Sequence, residues 1–386
     1  MKKTAKHILI AEPCLGGHHL TWLKYIVEDF LSLGCTVSLI TDNRPEPALI
    51  IKDYLGLLVD KISIYPFYDC DGKFLAKTQL ATMAKCITQT GADELFVNNL
   101  DAIMSKMLRS ACFGKLPPKT LRRKLNGIYM RPRFLVNSLW PINNFLKSRG
   151  FSYLDMNGWF NHLFLLDEYL LITARNLQKQ CQFHFLPDTW HGAFNILQLV
   201  ARKELNLPGK KYIFLNYGIG DRRKGLHLVI EALLRIKKPT NVFLLCAGAL
   251  GDNQQINEKL HLLVKQGKAL LLNRYITDHE EQLCFAACDA VLLPYIGHFG
   301  SSGVLSRATA AGKPILASDS GLVGTRVKEH NLGLLFQTDS VEDLNKQLIH
   351  MANIKECHTN GFQDSAQTYS KNCNRQAFQK SLKAIL

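Results

Sequence analysis

The chain has 386 residues, 47% of them hydrophobic, and a formal net charge of +15. This length exceeds what one open α/β sheet usually needs, and the apolar content suffices for two sizeable cores, which excludes a disordered or a small disulfide-stabilised protein. The eleven cysteines include no CxxC pair, which predicts reduced thiols in a cytoplasmic setting. The opening MKKTAKHILIAEP is expected to be a first strand rather than a secretory signal, and no apolar run is long enough to predict a membrane span.

Short apolar runs alternate with helical patterns along the chain, which predicts parallel sheets in an α/β fold. The predicted strands are 8–11, 37–41, 95–98, 212–215, 242–247, 269–272, 290–294 and 314–318. We expect a first domain at 1–187, a second at 188–364, a linker near 184–192 and a last helical stretch at 365–386.

The first loop with paired glycines, Pro13–His19 (PCLGGHH), lies between the first strand and a helix. Gly16 and Gly17 permit a ligand to approach the backbone closely. His18 and His19 are candidates for hydrogen bonding to a sugar or acceptor hydroxyl, or for proton transfer near neutral pH; capping of the helix is the alternative. Three further candidate acceptor contacts lie at the end of the strand at 95–98 or directly after it: Asn98, Asn99 and Asp101.

A strongly basic segment lies between Asp101 and Asp155, with eleven lysines and arginines and no acidic residue. Large apolar residues are interspersed: Phe113, Tyr129, Met130, Phe134, Trp140, Phe145 and Phe151. Such a mixture at 106–151 favours an anionic membrane surface, where cations meet headgroups and apolar residues enter the interface. A nucleic-acid partner and a solvated surface without a partner are the alternatives.

A basic turn follows the predicted strand at 212–215, in YIFLNYGIGDRRKGLHLVIEA. Arg222, Arg223 and Lys224 fall at the start of the next helix, where cations are unfavourable by up to about 1 kcal/mol. A bound anion would offset this effect, and a solvated charge cluster is the alternative.

A glycine- and serine-rich loop opens into a helix at Gly297–Pro314, GHFGSSGVLSRATAAGKP. Backbone N–H groups at a helix N-terminus hold a diphosphate without a metal ion. The predicted hydrogen-bond donors are the amides of Ser301, Ser302, Gly303 and Val304. His298, beside this loop, is a candidate contact for the transferred sugar, and a capped turn without a ligand is the alternative.

Four stretches resemble the group-1 (family 4) glycosyltransferases of the GT-B fold: Ile8–Thr41, the GIGDRRKGLHLVIEA turn and helix, Leu272–Tyr295 and Ser301–Gly321. The resemblance implies two Rossmann-like parallel-sheet domains facing across a cleft. It also implies transfer of a sugar from a nucleotide-sugar donor to a glycan or lipid-linked acceptor, with retention of configuration and with no cofactor or metal.

The same resemblance assigns roles to individual residues. Lys224, helped by Arg223 or Arg222, would grip the donor diphosphate. The backbone near Arg274, Tyr275 and Ile276 would lie against the base. The Gly16–Gly17 loop would face the nucleotide sugar, with His18 as a third catalytic candidate besides Lys224 and Arg223. The last helical stretch would cross back to the first domain.

This chain departs from the family pattern in the phosphate-loop segment. Most members carry two glutamates there, and an ungapped alignment places Phe299 and Arg307 at those positions. Arg307 offers only hydrogen-bond donors, so it cannot receive ribose hydroxyls as a carboxylate does. A non-catalytic GT-B nucleotide- or glycan-binding protein and a nucleotide-sugar epimerase are therefore alternatives. A dinucleotide oxidoreductase is disfavoured because neither glycine turn reads GxGxxG.

Overall fold

The computed structural model describes residues 5–16, 19–136, 141–218, 220, 222–236, 241–354 and 356–386. The chain forms two compact units, Met1–Leu186 with Phe378–Leu386, and Pro187–Ala377. Each unit contains one parallel sheet with flanking helices, which confirms the predicted α/β class.

The first unit is a seven-stranded parallel sheet in the order β3-β2-β1-β4-β5-β6-β7. Its strands are β1 (His7–Glu12), β2 (Thr36–Thr41), β3 (Ser63–Pro66), β4 (Glu94–Val97), β5 (Leu125–Ile128), β6 (Phe160–Leu165) and β7 (Gln182–Phe185). Its helices are α1 (His19–Ser32), α2 (Pro45–Leu55), α3 (Gln79–Thr90), α4 (Asp101–Ala111), α5 (Pro141–Met156) and α6 (Leu170–Leu177). Helices cover both faces of the sheet, so its central strands are almost wholly apolar and buried.

The second unit is a six-stranded parallel sheet in the order β10-β9-β8-β11-β12-β13. Its strands are β8 (Tyr212–Tyr217), β9 (Val242–Ala247), β10 (Ala269–Leu272), β11 (Ala290–Leu293), β12 (Ile315–Ser318) and β13 (Gly333–Phe336). Its helices are α7 (Gln198–Glu204), α8 (Leu226–Leu234), α9 (Gln254–Lys265), α10 (Asp278–Ala287), α11 (Gly303–Ala310), α12 (Gly321–Glu329), α13 (Val341–Ala352) and α14 (Glu356–Ser370). One apolar cluster packs on each face of this sheet.

The end of the chain is divided between the units. Helix α14 belongs to the second unit, and the last helix, α15 (Arg375–Leu382), enters the first unit from Phe378 onward. Phe378 packs edge-on against Trp22 and Tyr25, with ring centroids 5.6 and 6.3 Å apart. The predicted crossing stretch at 365–386 therefore begins too early.

The predicted linker also differs from the structure. His184 lies inside β7, where it pairs with Phe164 of β6, and the division between the units falls after Leu186. His184 belongs to a strand because the short run Gln182–Phe185 extends the sheet by parallel pairing, a tertiary contact that the local pattern does not reveal.

The basic segment folds into α4, β5, α5 and their connections. Nine of its eleven cations are exposed: Lys106, Arg109, Lys115, Lys119, Arg122, Arg123, Arg131, Arg133 and Arg149. Its aromatic residues differ in burial: Tyr129, Phe134 and Phe151 are buried in the core, whereas Phe113 and Phe145 are exposed. Trp140 lies outside the described residues. In the described part of the chain, no helix is both long and apolar enough to cross a membrane.

Candidate active site

The carboxyl ends of β8 and β11 lie side by side in the middle of the second sheet. The strand order reverses here, with β9 on one side and β12 on the other. Loops leaving such a point diverge, and ligands of open parallel sheets bind in the crevice between them. The basic turn at 218–225 follows β8 and the serine-rich loop at 294–302 follows β11. The fold thus brings together the two segments that the sequence predicts to bind phosphate.

Direct contacts join these two loops. The Ile296 N–H donates to the carbonyl of Arg223 at 2.9 Å. Gly225 has a φ of +71°, and a β-carbon at this position would lie 1.8 Å from the carbonyl oxygen of Pro294. Glycine is required here for both the left-handed conformation and the close approach.

Lys224 reaches back over its own turn. A β-carbon on Gly218 would lie 2.4 Å from Lys224 Nζ, so the ammonium group lies beside the backbone that directly follows β8. The lysine closes the 3-10 turn Arg222–Lys224, one residue before Gly225 and the start of α8. Its positive charge therefore lies at the carboxyl edge of the sheet.

Arg223 is linked to the serine-rich loop through His298. Arg223 Nη1 lies 2.8 Å from His298 Nδ1, and His298 Nε2 lies 3.0 Å from the carbonyl oxygen of Ser301. Because a guanidinium group only donates, Nδ1 must accept and the Nε2–H must donate to the carbonyl. Tyr295 packs edge-on against the imidazole, with centroids 4.9 Å apart. His298 thus connects the basic turn to the predicted phosphate loop in one defined tautomer.

The two serines of the loop have different surroundings. Ser302 is 6% exposed, and its hydroxyl caps α11 by accepting from the Leu305 N–H and lies 3.0 Å from Tyr295 Oη. Ser301 is half-buried, and its Oγ accepts a hydrogen bond of 2.7 Å from Arg326. Gly303 and Val304 lie in the first turn of α11, where N–H groups have no carbonyl of a preceding turn to bind.

Arg307 is paired with a carboxylate from the neighbouring helix α10. Its Nε lies 2.9 Å from both carboxylate oxygens of Glu281, and its Nη1 donates to the Gly303 carbonyl at 3.0 Å. Tyr217 donates to the same carboxylate at 2.6 Å. Burial lowers the pKa of Arg307, but the charge of Glu281 leaves that pKa above its ordinary value. A carboxylate therefore stands beside position 307, contributed by α10 rather than by α11.

The three residues predicted to lie against the base, Arg274, Tyr275 and Ile276, differ in exposure. Arg274 forms an ion pair with Glu280, a member of the capping box of α10. Tyr275 is 80% exposed, whereas Ile276 is 8% exposed and packs into the core. A contact with a base is thus left to the backbone and to the Tyr275 ring.

Arg222 points to a different part of the unit from Arg223. It lines a cavity of about 190 Å³ together with residues of α8 and α9, among them His227, Glu231 and Lys259. The burial of His227 and the nearby Arg222 charge lower the pKa of this histidine. The three consecutive cations of the turn therefore do not form one cluster.

In the first unit, the strand order reverses between β1 and β4. Glu12 ends β1 and is fully buried. Its carboxylate accepts hydrogen bonds from the Cys14 N–H (2.9 Å), His19 Nδ1 (2.9 Å) and Asn98 Nδ2 (2.5 Å). The hydrogen bond to Glu12 raises the pKa of His19, although burial opposes this. The structure thus joins two predicted acceptor contacts, His19 and Asn98, through a carboxylate.

The remaining predicted residues of this unit have other surroundings. Asn99 Oδ1 accepts from the Asp101 N–H at 3.1 Å, and the Asp101 carboxylate accepts from the Met130 and Arg131 N–H groups at 3.1 and 3.0 Å. Burial raises the pKa of Asp101. Both carboxylate oxygens bind backbone, so this residue holds the loop after β5. Around Gly16 a β-carbon would meet no atom within 4 Å, and Gly17 and His18 lie outside the described residues.

Three polar residues of these sites are missing from the sequence prediction: Glu12, Glu281 and Arg326. Arg326 is 1% exposed on α12, beside the buried apolar residues Leu322, Val323 and Val327. A single arginine at helical spacing within an apolar face is the signal that identifies it. For Glu12 the signal is a carboxylate that ends the apolar strand HILIA.

Comparisons with known proteins identify a family match in the second unit and the fold of the chain. Residues 198–366 match the family model described as "Glycosyl transferases group 1", and no curated protein matches the sequence. The fold is similar to a sucrose-phosphate synthase from Thermosynechococcus elongatus, with 15% identity, 98% of each chain covered and a TM-score of 0.67. It is also similar to HepE from Anabaena in complex with UDP, with 13% identity, 98% of this chain and 99% of that chain covered, and a TM-score of 0.69.

A third similar structure is WaaG, a glycosyltransferase involved in lipopolysaccharide biosynthesis, with 14% identity, 98% of this chain and 99% of that chain covered, and a TM-score of 0.65. At these identities the structural likeness shows the fold alone, and that fold is GT-B. The family match spans both loops of the switch point between β8 and β11. Residues 198–366 thus match the group-1 glycosyltransferase family, and the whole chain has the GT-B fold.

Proposed function

We propose that this protein transfers a sugar from a nucleotide-sugar donor to a glycan or lipid-linked acceptor. The observation that carries the proposal is the convergence of Lys224, Arg223 and the amide-rich start of α11 at one switch point of the second sheet. HepE, whose fold is similar, is seen in complex with UDP, which supports a nucleotide diphosphate as the ligand.

The main chemical demand is to stabilise the diphosphate as it leaves with its developing negative charge. Lys224 and Arg223 supply positive charge, and the amides of residues 301–304 supply aligned dipoles. Groups that are already oriented stabilise such charge without reorganisation during the reaction. In this proposal they act without a metal ion, and an oxygen of the leaving phosphate takes the acceptor proton while the acceptor attacks on the same face. Attack from that face retains the anomeric configuration.

The proposed acceptor contacts are His19 and Asn98, which Glu12 holds at the switch point of the first sheet. An imidazole and an amide offer both donor and acceptor groups to sugar hydroxyls. We include Gly16, Gly17 and His18 of the same loop among the proposed ligand-contacting residues of the first unit. In the second unit, His298 is the proposed contact for the transferred sugar.

A second proposal concerns the surface formed by α4, α5 and residues 112–136, which we call the α4–α5 surface. Burial lowers the pKa of Lys147, and the nearby charges of Arg109 and Arg133 lower it further. Ile142 and Phe145 beside them are 77% and 58% exposed. Cations and exposed apolar side chains together suit an anionic bilayer at the cytoplasmic face of a membrane, where a lipid-linked acceptor would be presented.

The test of the proposed reaction is a thermal-shift screen with UDP, GDP, ADP, CMP and their common sugar conjugates, with donor hydrolysis followed in the same samples. A ligand that binds only the folded state raises the melting temperature. We expect one nucleotide diphosphate to stabilise the protein and its sugar conjugate to be hydrolysed slowly. Binding without any turnover, even with added acceptors, would instead favour a non-catalytic binding protein, and consumption of the donor to an isomer would favour an epimerase.

A further inference from the structure

Arg326 lies beneath the serine-rich loop, on α12. It is 1% exposed and has the largest side chain among the fully buried residues that the structure describes. Burying a guanidinium group is costly unless well-placed partners receive its hydrogen bonds. One of these partners is Ser301 Oγ, at 2.7 Å from Arg326 Nη1, in the loop to which we assign the diphosphate.

The direction of this hydrogen bond determines what Ser301 offers to a ligand. Arginine only donates, so Ser301 Oγ accepts and its own O–H proton points away from Arg326. The carbonyl of the same residue accepts from His298 Nε2, which is in turn backed by Arg223. Both oxygens of Ser301 therefore receive hydrogen bonds from the protein, and the hydroxyl can donate its proton only in a direction away from Arg326.

Contacts from β12 and α12 support the same loop. A β-carbon at Gly321 would lie 2.3 Å from the His298 carbonyl oxygen, so the start of α12 lies directly against the loop. Ser318 Oγ donates to the Tyr295 carbonyl at 2.7 Å. These contacts fix the backbone around Ser301, and Arg326 adds a contact to its side chain.

We propose that Arg326 is a positioning residue that turns the Ser301 hydroxyl into a hydrogen-bond donor for the diphosphate of the nucleotide. The Ser302 hydroxyl is less accessible to a ligand, because Ser302 is 6% exposed and its oxygen caps α11 beside Tyr295 Oη. The inference rests on the proposed function and deepens it, since it identifies the diphosphate, rather than the base or the sugar, as the group that Arg326 helps to recognise.

The test is a double-mutant cycle on nucleotide affinity, measured by isothermal titration calorimetry with UDP, GDP, ADP and the corresponding nucleosides. We expect Arg326→Met and Ser301→Ala each to weaken binding of the nucleoside diphosphate about tenfold and to leave the affinity for the nucleoside unchanged. Because Arg326 acts through Ser301, the double variant should bind no more weakly than Ser301→Ala. Lys328→Met is the matched control, since it removes an exposed cation from the same helix and should leave binding unchanged.

Additive losses in the double variant, or equal losses of nucleoside and diphosphate affinity, would show a general structural role and overturn the inference. Unchanged binding by a folded Arg326→Met would also overturn it. If Arg326→Met does not fold, Arg326→Lys provides the comparison. With Ser301 present, we expect Arg326→Lys to cause a smaller but still selective loss of diphosphate affinity. In a protein that already carries Ser301→Ala, it should cause no further loss. Absence of binding by the wild-type protein would contradict the proposed function itself, and with it this inference.

Discussion

Arg223 and Lys224 are neighbours in sequence, but the protein holds them differently. Arg223 is fixed by its bond to His298, whereas the Lys224 ammonium lies over the Gly218 backbone. A guanidinium group that binds an imidazole has a set direction, and an ammonium group is a compact charge on a flexible stem. Lys224 is therefore the better candidate for moving with an oxygen of the leaving phosphate as negative charge develops on it.

Replacing Lys224 by alanine should lower turnover at least tenfold and leave the free energy of unfolding almost unchanged. The charge that stabilises the leaving diphosphate is lost, whereas the half-buried side chain contributes little to the core. Steady-state rates with the donor identified by the thermal-shift screen, together with urea denaturation, measure both effects. Lys328→Ala, an exposed lysine on α12, is the control, and an unchanged rate for Lys224→Ala would remove this residue from the mechanism.

The pair Glu281–Arg307 makes a stability prediction. Glu281→Gln leaves the Arg307 charge without its counterion, and removal of one partner of a fully buried pair costs about 3–5 kcal/mol. Because these side chains are 13% and 23% exposed, we expect a loss of about 2 kcal/mol. The double variant Glu281→Gln/Arg307→Met should recover part of this loss, since no unpaired charge remains.

Urea denaturation of Glu281→Gln and of the double variant measures this coupling. The exposed pair Lys259–Glu231, at 49% and 38% exposure, is the matched control, and Glu231→Gln should change stability by about 0.5 kcal/mol or less. Equal effects at Glu231 and Glu281 would mean that the Arg307 pair is only a surface interaction.

At the scale of elements, the sequence prediction missed several strands of the two sheets: β3, β5, β6, β7 and β13. Strand β5 shows why, because its Asn126 interrupts the apolar pattern yet is fully buried. Its amide donates to Glu94 at 2.8 Å, and its Oδ1 accepts from the His162 N–H at 3.0 Å. Buried polar contacts between strands satisfy such a residue, and the local sequence pattern contains no sign of them.

The switch point between β8 and β11 depends on the close packing of the two loops that follow these strands, and Gly225→Ala tests this packing. A β-carbon there would lie 1.8 Å from the Pro294 carbonyl oxygen, so the loops must separate, and we expect both a marked loss of stability and loss of the nucleotide thermal shift. Gly267→Ala is the matched control, because Gly267 has a similar φ of +65° but open space around it. That variant should lose only about 1 kcal/mol for the left-handed conformation and keep the thermal shift. Retained nucleotide stabilisation in Gly225→Ala would show that the contact between the loops does not build the site.

At the scale of the whole molecule, the net charge of +15 is unevenly distributed, with eleven cations and no acidic residue between Asp101 and Asp155. We expect the protein to sediment with vesicles of phosphatidylcholine and phosphatidylglycerol, and not with phosphatidylcholine alone. Raising the ionic strength should weaken the binding, since salt screens exposed charges.

Variants separate the two contributions to vesicle binding. Arg109→Gln/Arg133→Gln should weaken it through charge, since each cation near an anionic surface contributes about 1 kcal/mol. Ile142→Ser/Phe145→Ser should weaken vesicle binding because the apolar side chains no longer insert into the bilayer. The dependence of binding on ionic strength should stay unchanged. Lys259→Gln/Lys265→Gln on α9 removes two cations from elsewhere and is the control. Equal losses in the α9 control would show non-specific attraction by net charge, and binding of RNA in place of vesicles would favour a nucleic-acid partner.

The sequence by itself determined the α/β class, most central strands and the two loop segments that we propose to bind phosphate, because hydrophobic periodicity, glycine turns and clustered cations are local properties of the chain. The basic segment is also evident from the sequence, but the sequence does not show which of its aromatic residues are buried. Only the tertiary structure decided that Arg223 bonds to His298, that Glu281 pairs with Arg307, that Glu12 joins His19 to Asn98 and that Arg326 supports Ser301. Each of these contacts joins residues from different strands, helices or loops, and their adjacency depends on the strand order of a sheet, which no local pattern encodes.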